Sequence, residues 1–356
     1  MIQLDGNYGE GGGALVRTAL ALSTLTGKSF EIKDIRKSRP NPGLKPQHLT
    51  AIEALKQISD AKTSEIKLGS TELKFIPGKI KKGIYHFDIG TAGSITLLLQ
   101  ALILPSLFAP GKITLYIKGG TCGKWQASVD YLQNILLPHL QRFVEKIDLK
   151  ITKRGYYPKG GGEIKLEITP RFNYDPDEIK IKCAKINLVQ QGKLEQVRGI
   201  INLSSELEEK EVGERIKNAA ESQLKKYKVP ITVRVEYTNA LSVGGEALFW
   251  AIFSQQGKVD YDNPTILSSD VLIEKGKSSE QIGKEVAEKL IQEISIDATV
   301  DHFLEDQLIL FMGLLPGSRI KRPEISNHTT TNIYVVEHFL DVGFKINDKI
   351  ISLEEN

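Results

Sequence analysis

Five short stretches combine residue types suited to phosphate or nucleotide chemistry. The segment Ser326-Asn327-His328-Thr329-Thr330-Thr331-Asn332 enters an apolar helical run from Ile333 to Leu340. A histidine at such a junction is commonly a surface or capping residue. A helix N-terminus also disfavours imidazolium, and a neutral ring is the form that attacks phosphorus. Of the other histidines, His86, His139 and His338 sit in strand or helix patterns, while His48 and His302 lie beside further candidate stretches.

Near the start, Gly9-Glu10-Gly11-Gly12-Gly13 precedes a helix, and unpaired N–H groups at a helix start suit an anion. The letters also satisfy G-x-G-x-x-A, with Asp34 at the spacing of a ribose-binding acid. Against a dinucleotide site, Ile2 to Leu4 makes a very short strand, and Glu10 puts a carboxylate where pyrophosphate would sit. A flexible turn, a dinucleotide site and a metal-linked triphosphate site with Glu10 as the ligand all stay open. A basic cluster follows: Lys33, Arg36, Lys37, Arg39 and Lys45, then Gln47 and His48, with Arg17 on the first helix able to approach the same edge. Pro40, Pro42 and Gly43 stiffen the loop, and guanidinium forks grip phosphate oxygens in pairs. A solvated basic loop is the plainer alternative.

Gly90-Thr91-Ala92-Gly93-Ser94 opens another helix, in which Gln100 stands among leucines. A buried amide needs a partner, either in the core or in a nucleotide pocket. In Phe303-Leu304-Glu305-Asp306-Gln307, the carboxylates complement a helix start, and Phe303 offers a ring to a base.

These stretches need elements to hold them. Loop, apolar helix, strand, second helix and further strand recur three times, in segments beginning GEGGGALVRT, GTAGSITLLL and DHFLEDQLIL. Leu15, Ala19, Leu22 and Leu25 keep helical spacing. The pattern predicts an α/β protein whose large domain has three repeated helix–strand–helix–strand units, over 1–180 and 294–356. Residues 181–293, with strands such as KINLVQQ and VRGIINLS, predict an inserted small α/β domain.

The chain has 356 residues, 40% hydrophobic, with a net charge of +3, too small to imply nucleic-acid binding by itself. Its two cysteines, Cys122 and Cys183, form no metal-binding pair and exclude a disulfide scaffold. No signal segment is expected at the N-terminus, and the apolar stretch Leu97 to Ala109 is too short and broken to span a bilayer. A cytoplasmic protein without membrane association is expected, and a homo-oligomer stays open.

Taken in order, LDGNYGEGGGALVR, IRKSRPNPGLKPQHLTA, GTAGSITLLLQ, KRGYYPKGGG, EDQL and HTTTN-VVEHFL resemble the RNA 3′-terminal phosphate cyclase family over nearly the whole chain. The resemblance implies a repeat-built large domain with a small inserted domain. It implies ATP as co-substrate, a divalent metal (Mg or Mn), and an RNA with a 3′-phosphate end as partner. The implied reaction makes a 2′,3′-cyclic phosphate, with His328 carrying AMP covalently and AMP and pyrophosphate released. It matches Glu10 to a metal ligand and Arg17, Arg36, Arg39 and Gln47 to phosphate- or RNA-binding positions. Gln100 and Phe303, Leu304, Glu305, Asp306 and Gln307 match an ATP pocket. Phe303 stands where the family pattern has Tyr, and CGKWQASVDYL replaces a more Pro-rich loop ending PPxDYL. A non-catalytic cyclase-like binding protein of ribosome assembly is the alternative, and it would lack the histidine. An enolpyruvyl-type transferase on the related fold would not need it.

Overall fold

A computed structural model describes residues 1–322 and 324–354. All four of its sheets are four-stranded among the described residues, and three of them have the same strand order. In the first unit, Ile2–Asp5 pairs in parallel with Phe30–Lys33, which pairs antiparallel with Leu73–Ile76, and Lys62–Thr63 takes the far edge. The second unit repeats this with Gly83–Asp88, Ile113–Gly119, Gly162–Pro170 and Val144–Lys153. The third uses Asn187–Leu188, Arg319–Lys321, Ile350–Leu353 and Phe344–Asn347.

Each unit therefore leads with a strand, one element more than the expected helix–strand–helix–strand repeat. The parallel pairing requires a crossover, and the first helix of each unit supplies it. In the third unit the crossover is interrupted by a long insertion. Its leading strand lies within KINLVQQ, which the sequence pattern assigns to the inserted domain. The pairing Asn187↔Arg319 and Leu188↔Ile320 puts that strand in the third unit instead. Two residues carry too little alternation to show which sheet they join.

The helix Gly13–Thr26 is buried from Ala14 to Leu25, Arg17 included. It is central because three helices pack around it: Pro46–Ser59, Ile95–Ser106 and Asn327–Leu340. Gly27 stops it in the left-handed region at φ 73°, its N–H donating to Ser23 O at 2.9 Å.

The segment WQASVDYLQNILLPHLQRF reads as one helix but is not continuous. Helix begins at Val129, passes into a π-helical turn at Leu132–Leu136, and resumes at Leu137–Leu140. Pro138 lacks the N–H that would extend the regular ladder there.

The fourth sheet runs Ile231–Thr238, Lys193–Ser204, Gly245–Ser254, Ile266–Leu272. Its side chains alternate between two cores, as a strand's period of two requires. Val197, Ile201, Phe249 and Leu267 pack on the helices Val212–Leu224 and Ser279–Ser295. Ile200, Leu248, Trp250 and Ile266 face the other way and join the main core. Polar bonds cross the same boundary: Tyr156 Oη to Asn202 Oδ1 at 2.9 Å, and Ser268 Oγ to Asp301 Oδ2 at 2.6 Å. Among the described residues, no helix is long and apolar enough to cross a membrane.

Candidate active site

The loop Gly9 to Gly12 and the start of the helix Asn327–Leu340 lie against each other. A Cβ on Gly9 would fall 2.5 Å from Thr331 Oγ1, so this approach requires glycine, as does its φ of +60°. Gly12 caps the first helix without a side-chain hydrogen bond, and no acid lies in the first turn. Its N-terminal N–H groups stay available to an anion.

Glu10 reaches across this junction. Its Oε2 lies 2.7 Å from His328 Nδ1, and its Oε1 pairs with Arg39. The contact with His328 is the main cause holding the Glu10 carboxyl below its ordinary value. The same contact raises His328 above the ordinary imidazole value. The helix start was expected to keep that ring neutral by discouraging the imidazolium. A carboxylate in contact outweighs a half-charge of helix dipole, so the ring is biased towards protonation instead. Its neutral form carries the proton on Nδ1, facing Glu10, and leaves Nε2 with the lone pair. Ser326 holds the histidine's helix by accepting from Thr329 N at 3.0 Å.

Arg17 is buried, and burial lowers it to about 10, opposed by the charges of Asp306 and Glu10. Its Nε donates to Gln100 Oε1 at 2.8 Å, so the partner that a Gln in an apolar helix needs is a guanidinium. Arg36 is half-buried at φ 58°, its Nε without a hydrogen-bond partner. Burial, then the charge of Arg39, lowers its pKa. Two guanidiniums beside one carboxylate leave the pocket short of negative charge, as a phosphate site requires. Gln47 is half-buried at the first turn of Pro46–Ser59 and lines a neighbouring groove.

His48 belongs here more firmly than its sequence position suggests. It is fully buried, and its Nδ1 accepts Lys45 N–H at 3.0 Å. Burial lowers it to about 3, so the ring is neutral with its proton on Nε2. That nitrogen would lie 2.3 Å from a Cβ on Gly13, at the helix start.

The run Phe303 to Gln307 divides among different tasks. Leu304 is core. Glu305 is buried and accepts from Ser326 N at 3.0 Å and Thr329 Oγ1 at 2.7 Å, so it positions the His328 loop and does not face a pocket. Phe303 packs edge-on against Tyr131, their ring centroids 5.4 Å apart. Gln307 donates to Phe303 O at 3.1 Å. Asp306, pushed up to about 7 by burial, has an Oδ1 with no hydrogen-bond partner. Asp306, Gln307 and Gln100 line a narrow cavity of about 40 Å³ between the helices, enough for a few waters.

Two residues central to this arrangement were not singled out for a role by sequence. Asn332 accepts from Thr18 Oγ1 at 2.8 Å and donates to Asp306 O at 2.9 Å, joining three helices. Asp301 accepts from Phe303 N, Leu304 N, Tyr131 Oη and Ser268. Its place just ahead of a helix was a readable capping signal.

Among the described residues, no three His, Cys, Asp or Glu side chains gather as a metal cage. One carboxylate beside a phosphate site still suits a cation that takes most of its ligands from phosphate oxygens and water, as Mg commonly does.

The fold and site together define a repeat-built α/β protein with a basic pocket, in which a carboxylate contacts a histidine at a helix start. The RNA 3′-terminal phosphate cyclase family profile matches residues 8–346. An RNA 3′-terminal phosphate cyclase of Pyrococcus furiosus is 39% identical over 349 residues, covering 97% of this chain and 95% of its own. That of Methanosarcina barkeri is 39% identical over 356 residues, covering 98% and 97%. That of Archaeoglobus fulgidus is 37% identical over 360 residues, covering 100% and 98%. The chain belongs to the RNA 3′-terminal phosphate cyclase family.

Proposed function

We propose that this chain converts an RNA 3′-terminal phosphate to a 2′,3′-cyclic phosphate at the expense of ATP, through a histidine–AMP intermediate on His328. The contact between Glu10 Oε2 and His328 Nδ1, 2.7 Å, carries the reading, because it aims the Nε2 lone pair of the neutral ring outward as a nucleophile. Nε2 attacks the α-phosphorus of ATP, the bond to the bridging oxygen breaks, and pyrophosphate leaves. An oxygen of the RNA 3′-phosphate then takes the adenylyl group from His328. The neighbouring 2′-oxygen attacks the 3′-phosphorus and gives up its proton, and AMP departs with the bond to its oxygen. Family membership supports the reaction class.

Arg36 and Arg39 supply guanidinium charge to phosphate oxygens, and Arg17 does so with its position set by Gln100. His48 adds a neutral N–H donor at the helix start. Glu10 suits a divalent cation, Mg or Mn, which would neutralise charge on the triphosphate. The retained His328 disfavours the non-catalytic alternative.

The test is incubation with ATP labelled at the α-phosphate, followed by denaturation. Label should remain on the protein in alkali, be lost in acid, and be absent from His328→Ala. Wild-type protein that takes up no label in the presence of a divalent metal would refute the mechanism and favour a binding role.

A further inference from the structure

A second groove, of about 890 Å³, has Gln47 in common with the candidate site and is lined by Gly245 and Leu272 of the inserted sheet. Gln47, Gly93 and Ser94 line it, together with Trp125, Tyr157 and Lys275. Trp125 is 94% exposed and Tyr157 80%. Single exposed apolar residues are ordinary. Two large aromatic rings on one groove that shares Gln47 with the candidate site are not. The backbone at Trp125 adds to this, because its φ of +60° is one that bulky residues rarely adopt. Lys275 has no ion pair among the described residues, and Lys124 pairs with Glu274 at 2.8 Å with both side chains about half exposed. Such an exposed pair is worth little and exchanges readily for a phosphate.

We propose that this groove holds the single-stranded RNA segment leading to the reacting 3′ end. Its bases stack on Trp125 and Tyr157, and its backbone runs past Lys124 and Lys275. Flat exposed rings bordered by lysines grip any base sequence, since every base has a π-face. The inserted domain thereby forms one wall of the substrate path. This inference rests on the reaction proposed above, and the lysines beside exposed rings, with Gln47 shared with the site of that reaction, favour RNA over a protein partner.

The chain has two tryptophans, and the other, Trp250, is only 5% exposed. Trp250 also emits but is out of reach of a bound base, so RNA-dependent quenching reports Trp125 and should vanish in Trp125→Gly. Titrating the full chain with a 3′-phosphorylated oligopyrimidine of roughly ten nucleotides should quench that emission. Trp125→Gly removes the ring without adding backbone strain, and should weaken binding about tenfold, as loss of one stacked base does. Trp125→Phe keeps a stacking face and should bind close to the parent. Cyclisation of the long oligonucleotide should suffer far more in Trp125→Gly than that of a 3′-phosphorylated dinucleotide, too short to span the groove. Absent quenching, or parental affinity in Trp125→Gly, overturns the groove assignment. Self-adenylylation, measured first on every sample, needs no RNA, so failure of the ATP chemistry is read separately.

Discussion

Replacing Glu10 by Gln removes one charge at nearly constant shape, and the consequence for His328 can be worked through. In the parent, contact with Glu10 is the largest influence on the ring and raises its pKa, against burial and the charge of Arg17. Once that carboxylate is neutral, burial and Arg17 remain, and the ring should titrate at lower pH than in the parent. A hydrogen bond of good geometry to a charged group contributes about 1.5–3 kcal/mol, and here the atoms are 2.7 Å apart but the ring N–H is not aligned on Glu10 Oε2, which weakens the contact. The His328 side chain is 49% exposed, so screening reduces this to roughly 1 kcal/mol. Loss of orientation should therefore slow self-adenylylation about fivefold at alkaline pH, where the parent ring is neutral. The sign for stability is fixed too. The raised pKa of His328 gives a stabilisation present below its ordinary value of 6.5 and lost as pH climbs through the raised one. The lowered pKa of Glu10 gives one present above 4.5 and lost as pH falls through the lowered one. The pair thus stabilises between these limits. Long-range nitrogen–proton NMR, with His328 assigned by comparison with His328→Ala, reads both pKa and tautomer without needing activity. A Glu10→Gln ring that titrates at or above the parent's pH would refute the argument, as would a parent ring protonated on Nε2 when neutral.

Two further outcomes follow from buried polar groups. Asp306, raised to about 7 by burial, holds a proton in the folded state that the unfolded chain releases near its ordinary 3.8, so stability should fall as pH rises between those values. Asp306→Asn should remove that part of the pH dependence, at most about 1.4 kcal/mol per pH unit, and parallel urea-denaturation profiles for parent and variant would count against it. Asn332→Ala leaves the buried Thr18 hydroxyl and the Asp306 carbonyl without the partners now at 2.8 and 2.9 Å. It should cost about 2–4 kcal/mol in chemical denaturation, and a loss below roughly 0.5 kcal/mol would show those groups finding other partners.

What the sequence disclosed follows the range of the forces involved. Local forces write helices and caps into short windows, so the helix at Gly13–Thr26 and the start of Asn327–Leu340 are legible from Gly, Ser and apolar spacing. Glu10, Arg39 and His328 are also recognisable as candidates, and the structure brings them together. Their electrical relationship is not legible, because residues 10 and 328 meet only through tertiary packing, and that contact reverses the effect expected of the local helix start. Glu305 shows the opposite failure. It sits within a stretch read as one nucleotide pocket, yet turns inward to hold Ser326 and Thr329. Adjacent residues on a helix point about 100° apart, so a contiguous motif need not share a destination. Asn187–Leu188 was lost to brevity, and the π turn at Leu132–Leu136 to the missing N–H of Pro138, whose effect depends on packing.

The repeat itself accounts for why the site lies where it does. Arg17, Gln100 and Asp306 each occupy the second turn of the first helix of their unit, in helices starting at Gly13, Ile95 and His302. Three units of like topology packed around a common core bring these second turns towards one another, Arg17 and Asp306 at the fifth helical residue and Gln100 at the sixth. Arg17 bonds Gln100 at 2.8 Å, and Asp306 is the largest charge acting to hold Arg17 protonated. The three residue types differ as the position demands. A cation faces the Gly-rich loop, a neutral amide fixes its orientation, and an acid raised to about 7 offsets its buried charge only as pH rises through that value. No single unit supplies all three, and an isolated guanidinium this deep would be costly without the other two. Buried Arg17 therefore ties the candidate site to the assembly of all three units, and a chain lacking the third would lose His328 and also the carboxyl group of Asp306 that acts on Arg17.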